Sequence, residues 1–126
     1  MLTRTQTPLR VVVVDDSPDW ASLLGYLLQT HGHFCAVAHH PAAALKLADT
    51  QSVDVFILDI ELPGMDGYAL GRELRKKLPE SVFIGNSGWP RDFERQEATG
   101  FTFDYFLVKP WDYKALAQVL NTLHAT

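Results

Sequence analysis

At 126 residues the chain has the length of a single domain, and a chain of that size buries roughly two-thirds of its unfolded surface. A formal charge of −4 and the lack of any Lys/Arg run longer than the three residues Arg75-Lys76-Lys77 exclude the basic footprint that direct nucleic-acid binding needs. No apolar stretch reaches the ~18–20 residues of a membrane span, the start lacks the apolar core of a secretory signal, and the one cysteine, Cys35, excludes an internal disulfide; a cytoplasmic location is expected.

Residues 1–8 are polar and read as a flexible tail. Beyond them, short apolar runs alternate with segments of helical period. The first run, 10–15, holds Val11 to Val14 and closes on Asp15, with Asp16 just past it. Its continuous apolar character, like that of 53–59, predicts a strand covered on both faces. A helix follows, with Ser17 as cap, Pro18 in its first turn and Gly32 closing it; Trp20, Leu23, Leu24, Leu27 and Leu28 form its apolar stripe. Strand 34–39 carries Cys35, read as a buried structural thiol.

Helix 41–50 (Ala44, Leu45, Ala48) leads to strand 53–59, which ends on Asp59. Pro63-Gly64 and Asp66-Gly67 punctuate the next turn, and Asp66 caps helix 66–78 (Leu70, Leu74, Leu78). Strand 82–86 runs into Ser87. Segment 91–99 offers only Phe93 and Ala98 as apolar contacts and predicts the least stable helix. Strand 103–108 runs into Lys109, and Asp112 caps the last helix, 112–124, with Leu116, Val119, Leu120 and Leu123 in line.

This alternation with short connections predicts an α/β fold, a (βα)5 doubly wound parallel sheet with right-handed crossovers. Residues 9–126 form its one domain, and no output domain is expected in this chain.

In an open parallel sheet, ligands sit at the carboxyl ends of the strands. Asp15, Asp16, Asp59, Ser87 and Lys109 all fall there. Two like charges ~4 Å apart repel by about 4 kcal/mol at an effective dielectric near 20, so clustered carboxylates call for a cation. His and Cys are read as absent from this edge, which favours an oxygen-liking ion such as Mg²⁺ (or Mn²⁺) over zinc. Carboxylates, a hydroxyl and an ammonium together suggest metal-assisted phosphoryl transfer. The plainer readings are that Asp15 or Asp16 caps the first helix, that Ser87 is a turn hydroxyl, and that Lys109 is a surface lysine.

Four segments resemble response regulator receiver domains of two-component systems: Val13-Val14-Asp15-Asp16, Leu58-Asp59-Ile60-Glu61-Leu62-Pro63-Gly64-Met65-Asp66-Gly67, Asn86-Ser87-Gly88 and Lys109-Pro110. They occur in the family's order and span nearly the whole chain. The resemblance implies a flavodoxin-like fold with strand order 2-1-3-4-5. It implies that Asp59 accepts a phosphoryl group from a sensor histidine kinase or a histidine phosphotransfer protein, catalysing only its own modification. Asp16, Asp59 and the Glu61 backbone carbonyl would ligate Mg²⁺, Asp15 would act mainly through water, and Ser87 and Lys109 would bind phosphoryl oxygens.

Phosphorylation would then switch an interaction surface within residues 89–116 for a downstream protein. Ser87 and Phe106 stand at the family's switch positions; Phe106 lacks the usual hydroxyl, which Tyr105 would supply if the register slips. Glu61 and Trp89 border the path of the hydrolytic water and are read as modulators, Trp89 by shielding. The aromatic run Phe101, Phe103, Tyr105 and Phe106 either forms a contact surface or folds back over the fourth helix. Two other functions stay open: a phosphorylation-independent interaction module of the same fold, and an aspartate-nucleophile phosphatase.

Overall fold

The structure, a computed structural model, describes residues 7–89, 91–94 and 96–123. Of the expected flexible tail, residues 1–6 lie outside that range; Pro8 is half-buried and Leu9 fully buried.

The two runs read as doubly covered strands lie side by side in the interior of the sheet. They are β1 (Arg10–Val14) and β3 (Val55–Asp59), paired in parallel from Val11 with Val55 to Val14 with Leu58. β2 (Phe34–Ala38) flanks β1, while β4 (Val82–Ser87) and β5 (Tyr105–Val108) continue beyond β3. The order β2-β1-β3-β4-β5 is the expected one, with every pairing parallel.

Side chains alternate across each strand, and the central strands are covered on both faces. Val12, Val14, Phe56, Leu58 and Phe83 face α2 (Pro41–Thr50) and α3 (Gly67–Lys77). Val11, Val13, Val55, Ile57 and Ile84 face α1 (Pro18–Thr30) and α6 (Tyr113–Leu120). That is why β1 and β3 show no polar alternation.

Local signals set the helix ends. Asp66 accepts from Ala69 N at 2.9 Å and Asp112 from Ala115 N at 3.2 Å, as expected of caps. Gly32 follows α1 with φ +91°. Ser17 occupies the cap position of α1, but its side chain makes no capping bond. The stripe of α1 also differs from the expectation. Leu23 is 50% exposed, whereas Ala21, Leu24, Gly25 and Leu28 are buried. The two small residues let α1 lie close on the sheet; a Cβ on Gly25 would stand 3.4 Å from Val37 Cγ2. Close approach, not side-chain size, centres the stripe. Cys35 is half-buried beside this contact, and burial pushes its thiol up to about 11.

The weak fourth helix corresponds to α4 (Arg91–Glu94) and α5 (Gln96–Thr99); the side chains of Phe93 and Ala98 lie outside the description. The aromatic run then turns inward. Phe101 and Phe103 are buried; Phe101 meets Phe83 edge-on, and Phe103 packs on Tyr68 and Phe106. Arg75 of α3 lies over the rings of Phe83 and Phe101 at 4.7 and 4.6 Å, and donates to Thr102 O and the Asp104 carboxylate. Phe101 and Phe103 thus form no exposed surface, and their ring contacts are with α3, β4 and Phe106, not the expected fold-back over the fourth helix. β5 starts at Tyr105 and not at 103, because Phe103 N donates to Gln96 Oε1 at 2.7 Å.

Candidate functional site

Parallel pairing carries the carboxyl ends of β1, β3, β4 and β5 to one edge. Asp15 follows β1 and is 1% exposed; its Oδ1 accepts from Ser17 N at 2.9 Å, and its Oδ2 lies 3.4 Å from Lys109 Nζ. Asp16 is exposed. Asp59 closes β3 at 7% exposure, with Oδ1 accepting from Glu61 N at 3.1 Å. One oxygen from each of Asp15, Asp16 and Asp59 lies within 4.8 Å of the others.

That crowding has an electrostatic signature. Burial first, then the Asp15 charge, pushes the Asp59 carboxyl up to about 6, against the opposing Glu61 amide and Lys109 ammonium. The donor set is oxygen only and carries three negative charges, which fits a hard divalent cation such as Mg²⁺. Histidines do stand at this edge, contrary to the expectation, since His39 and His40 follow β2. His39 Nδ1 lies 3.2 Å from the Asp15 backbone carbonyl, so that nitrogen engages the loop and not the carboxylate cluster.

Asp15, Asp16, Asp59 and Lys109 are therefore gathered at one edge. Asp15 also steadies the residue before α1 through Ser17 N. Ser87 reaches the same edge, beside the Asp59–Asn86 register pair, but its hydroxyl donates to the buried Asp92 carboxylate and accepts from Trp89 N at 3.0 Å. Glu61 and the exposed Trp89 line a shallow pocket with Arg91 and Asp92. Phe106 is half-buried behind β4, and Tyr105 points to the opposite face of the strand.

Two residues at this edge carry contacts that no sequence signal assigned: Asp92, against the Ser87 hydroxyl, and His39, against the Asp15 backbone carbonyl. Asp92 left no signal, because its contacts depend on how α4 docks; Tyr68 OH also donates to its backbone carbonyl.

Comparison with known proteins agrees with this geometry. A family model described as the response regulator receiver domain matches residues 11–121. Protein PilH of Pseudomonas aeruginosa is 31% identical over 92% of this chain and 98% of its own length. The response regulator TrrA of Thermotoga maritima, solved in complex with Mg²⁺–BeF, is 30% identical with a TM-score of 0.80, over 90% of this chain and 97% of that one. A receiver domain from Methylobacillus flagellatus is 28% identical with a TM-score of 0.82, covering 92% and 98%.

Proposed function

The chain belongs to the response regulator receiver domain family, and from that premise we propose that Asp59 accepts a phosphoryl group from a histidine kinase or histidine phosphotransfer protein. Receiver domains are signalling domains that work with such donors. An Asp59 oxygen attacks phosphorus and forms an acyl phosphate. The bond from phosphorus to the donor imidazole breaks, and its electron pair stays on the imidazole nitrogen, which takes up a proton. The observation that carries this reading is the convergence of three carboxylates and Lys109 on one edge.

Asp16, Asp59 and the Glu61 carbonyl would hold Mg²⁺ or Mn²⁺, with Asp15 acting through water. The ion would neutralise charge on the phosphoryl oxygens. Lys109 would exchange Asp15 for one of those oxygens. Ser87 would release Asp92 for another and so carry the signal to α4 and the 89–116 surface, a population shift biased by the new charge. No helix among the described residues is long and apolar enough to cross a membrane. The phosphatase reading finds no support in these relatives.

Thermal stability tests the proposal. Mg²⁺ with beryllofluoride, which mimics a phosphoryl group, should raise the melting temperature of the wild type but not of Asp59→Asn; equal gains in both would contradict it. Trp89 gives a narrower prediction. If its exposed indole shields the acyl phosphate from water, Trp89→Ala should shorten the phosphoryl lifetime about threefold or more. An unchanged decay rate removes that role.

A further inference from the structure

The Lys109 side chain is half-buried, with a long, freely rotating stem, and its Nζ lies 3.4 Å from Asp15 Oδ2, a loose ion pair. Its other neighbour is an aromatic face: Nζ lies 5.7 Å from the ring centroid of Trp20, within cation–π range. Trp20, on α1, stands edge-on to Trp111 with ring centroids 5.3 Å apart and planes at 86°. Trp111, just past Lys109, donates from Nε1 to Asn86 Oδ1 at 2.9 Å. Asn86 is 1% exposed, in register with Asp59 on one side and Leu107 on the other.

Two details give this chain of contacts direction. A buried amide in an apolar strand is unfavourable unless it is hydrogen-bonded, and Asn86 faces the side where Ile84 and Leu107 are apolar. Its bond to Trp111 is thus the compensation for a polar residue at that place. The buried Trp20 Nε1, by contrast, has no hydrogen-bond partner among the described residues. The orientation of Trp20 therefore comes from packing, with Trp111 as its edge-on neighbour. Both ends of the chain attach to the backbone of the site, where Lys109 N also donates to Ser87 O at 2.6 Å.

We propose that Asn86, Trp111 and Trp20 form a packed relay that holds the Lys109 ammonium over the carboxylate edge, with Trp20 as the positioning residue for phosphoryl capture. The inference rests on Asp59 being the phosphoacceptor. The ring face bounds the space open to Nζ, so the ammonium stays at the edge whether its partner is Asp15 or a phosphoryl oxygen.

Calorimetric titration of the full chain with Mg²⁺, and then with beryllofluoride at saturating Mg²⁺, tests the relay. Trp20→Ala should weaken beryllofluoride binding about tenfold while changing Mg²⁺ affinity less than about twofold, because the ring acts on the ammonium and not on the carboxylates. Trp20→Phe should recover most of that loss. Trp111→Phe, which keeps a ring but loses the bond to Asn86, should weaken beryllofluoride about threefold. Beryllofluoride affinity unchanged from wild type in Trp20→Ala overturns the relay alone. Where that variant fails to fold, unchanged affinity in Trp111→Phe overturns it by the same criterion. A wild type that binds Mg²⁺ but no beryllofluoride overturns the phosphoacceptor reading, and the relay with it.

Discussion

Without divalent cations, Asp59→Asn should melt at a higher temperature than the wild type at pH 7.5, and the advantage should disappear near pH 4. The cause is the placement of Asp59. Burial, and then the Asp15 charge, raise its carboxyl to about 6, whereas the unfolded chain ionises near the ordinary value of about 4. Between those values the unfolded state binds fewer protons than the folded state. Stability therefore falls as pH rises through that window, and stays reduced above it.

A shift of that size corresponds to at most ~3 kcal/mol. About 2 kcal/mol, or roughly 8 °C, is expected at pH 7.5, since solvent at this open edge screens part of the charge. Asparagine keeps an oxygen acceptor for Glu61 N, so the loop after β3 should survive the change. Melting curves in a chelator at pH 4 and 7.5 check this; identical melting at pH 7.5 would mean that the crowded carboxylates carry no folding cost. Adding Mg²⁺ should reverse the order, because mass action then favours the protein with all three carboxylates.

The second large effect comes from a residue without a side chain. A Cβ at Gly67 would stand 2.5 Å from Asp59 O, 2.9 Å from Ile60 Cα and 3.1 Å from Asp59 C, all backbone atoms that no rotamer change can move aside. Gly67 N donates to Ile60 O at 2.8 Å, which presses the first turn of α3 against the end of β3. Gly67→Ala should therefore cost about 3 kcal/mol and weaken Mg²⁺ binding as well, since relief of the clash displaces Asp59. Gly88→Ala is the matched control. Nothing lies within 4 Å of its Cβ position, and its stability should stay within about 0.5 kcal/mol of the wild type. Denaturant melts with parallel Mg²⁺ titrations separate the two, and a Gly67→Ala protein as stable as the control would contradict the close packing.

The α/β alternation, the sheet edge and the carboxylate cluster were legible in the sequence because each rests on local pattern. Apolar runs mark β1 and β3, Asp66 and Asp112 lie at true caps, and the acidic residues follow strand ends. What escaped depends on contacts between distant segments. Leu23 looked like core by type, yet the small residues Ala21 and Gly25 set which face of α1 lies against the sheet. Phe101 and Phe103 could not be placed without Arg75, an arginine from α3 that covers one ring and holds the loop of both. Ser87 reaches its expected place, but its hydroxyl answers to Asp92, which no spacing rule pairs with it. The Trp20–Trp111 contact joins residues near opposite ends of the chain and leaves no periodic trace.

Phosphoryl mapping on the intact chain bears most directly on the role of Asp59. The protein is incubated with Mg²⁺ and acetyl phosphate, or with a panel of phosphorylated histidine kinases, and the modified peptide is located by mass spectrometry. The expected result is one acid-stable, base-labile phosphoryl group on the peptide containing Asp59, absent from Asp59→Asn. Equal incorporation in that variant, or none in the wild type from any of these donors, would contradict it.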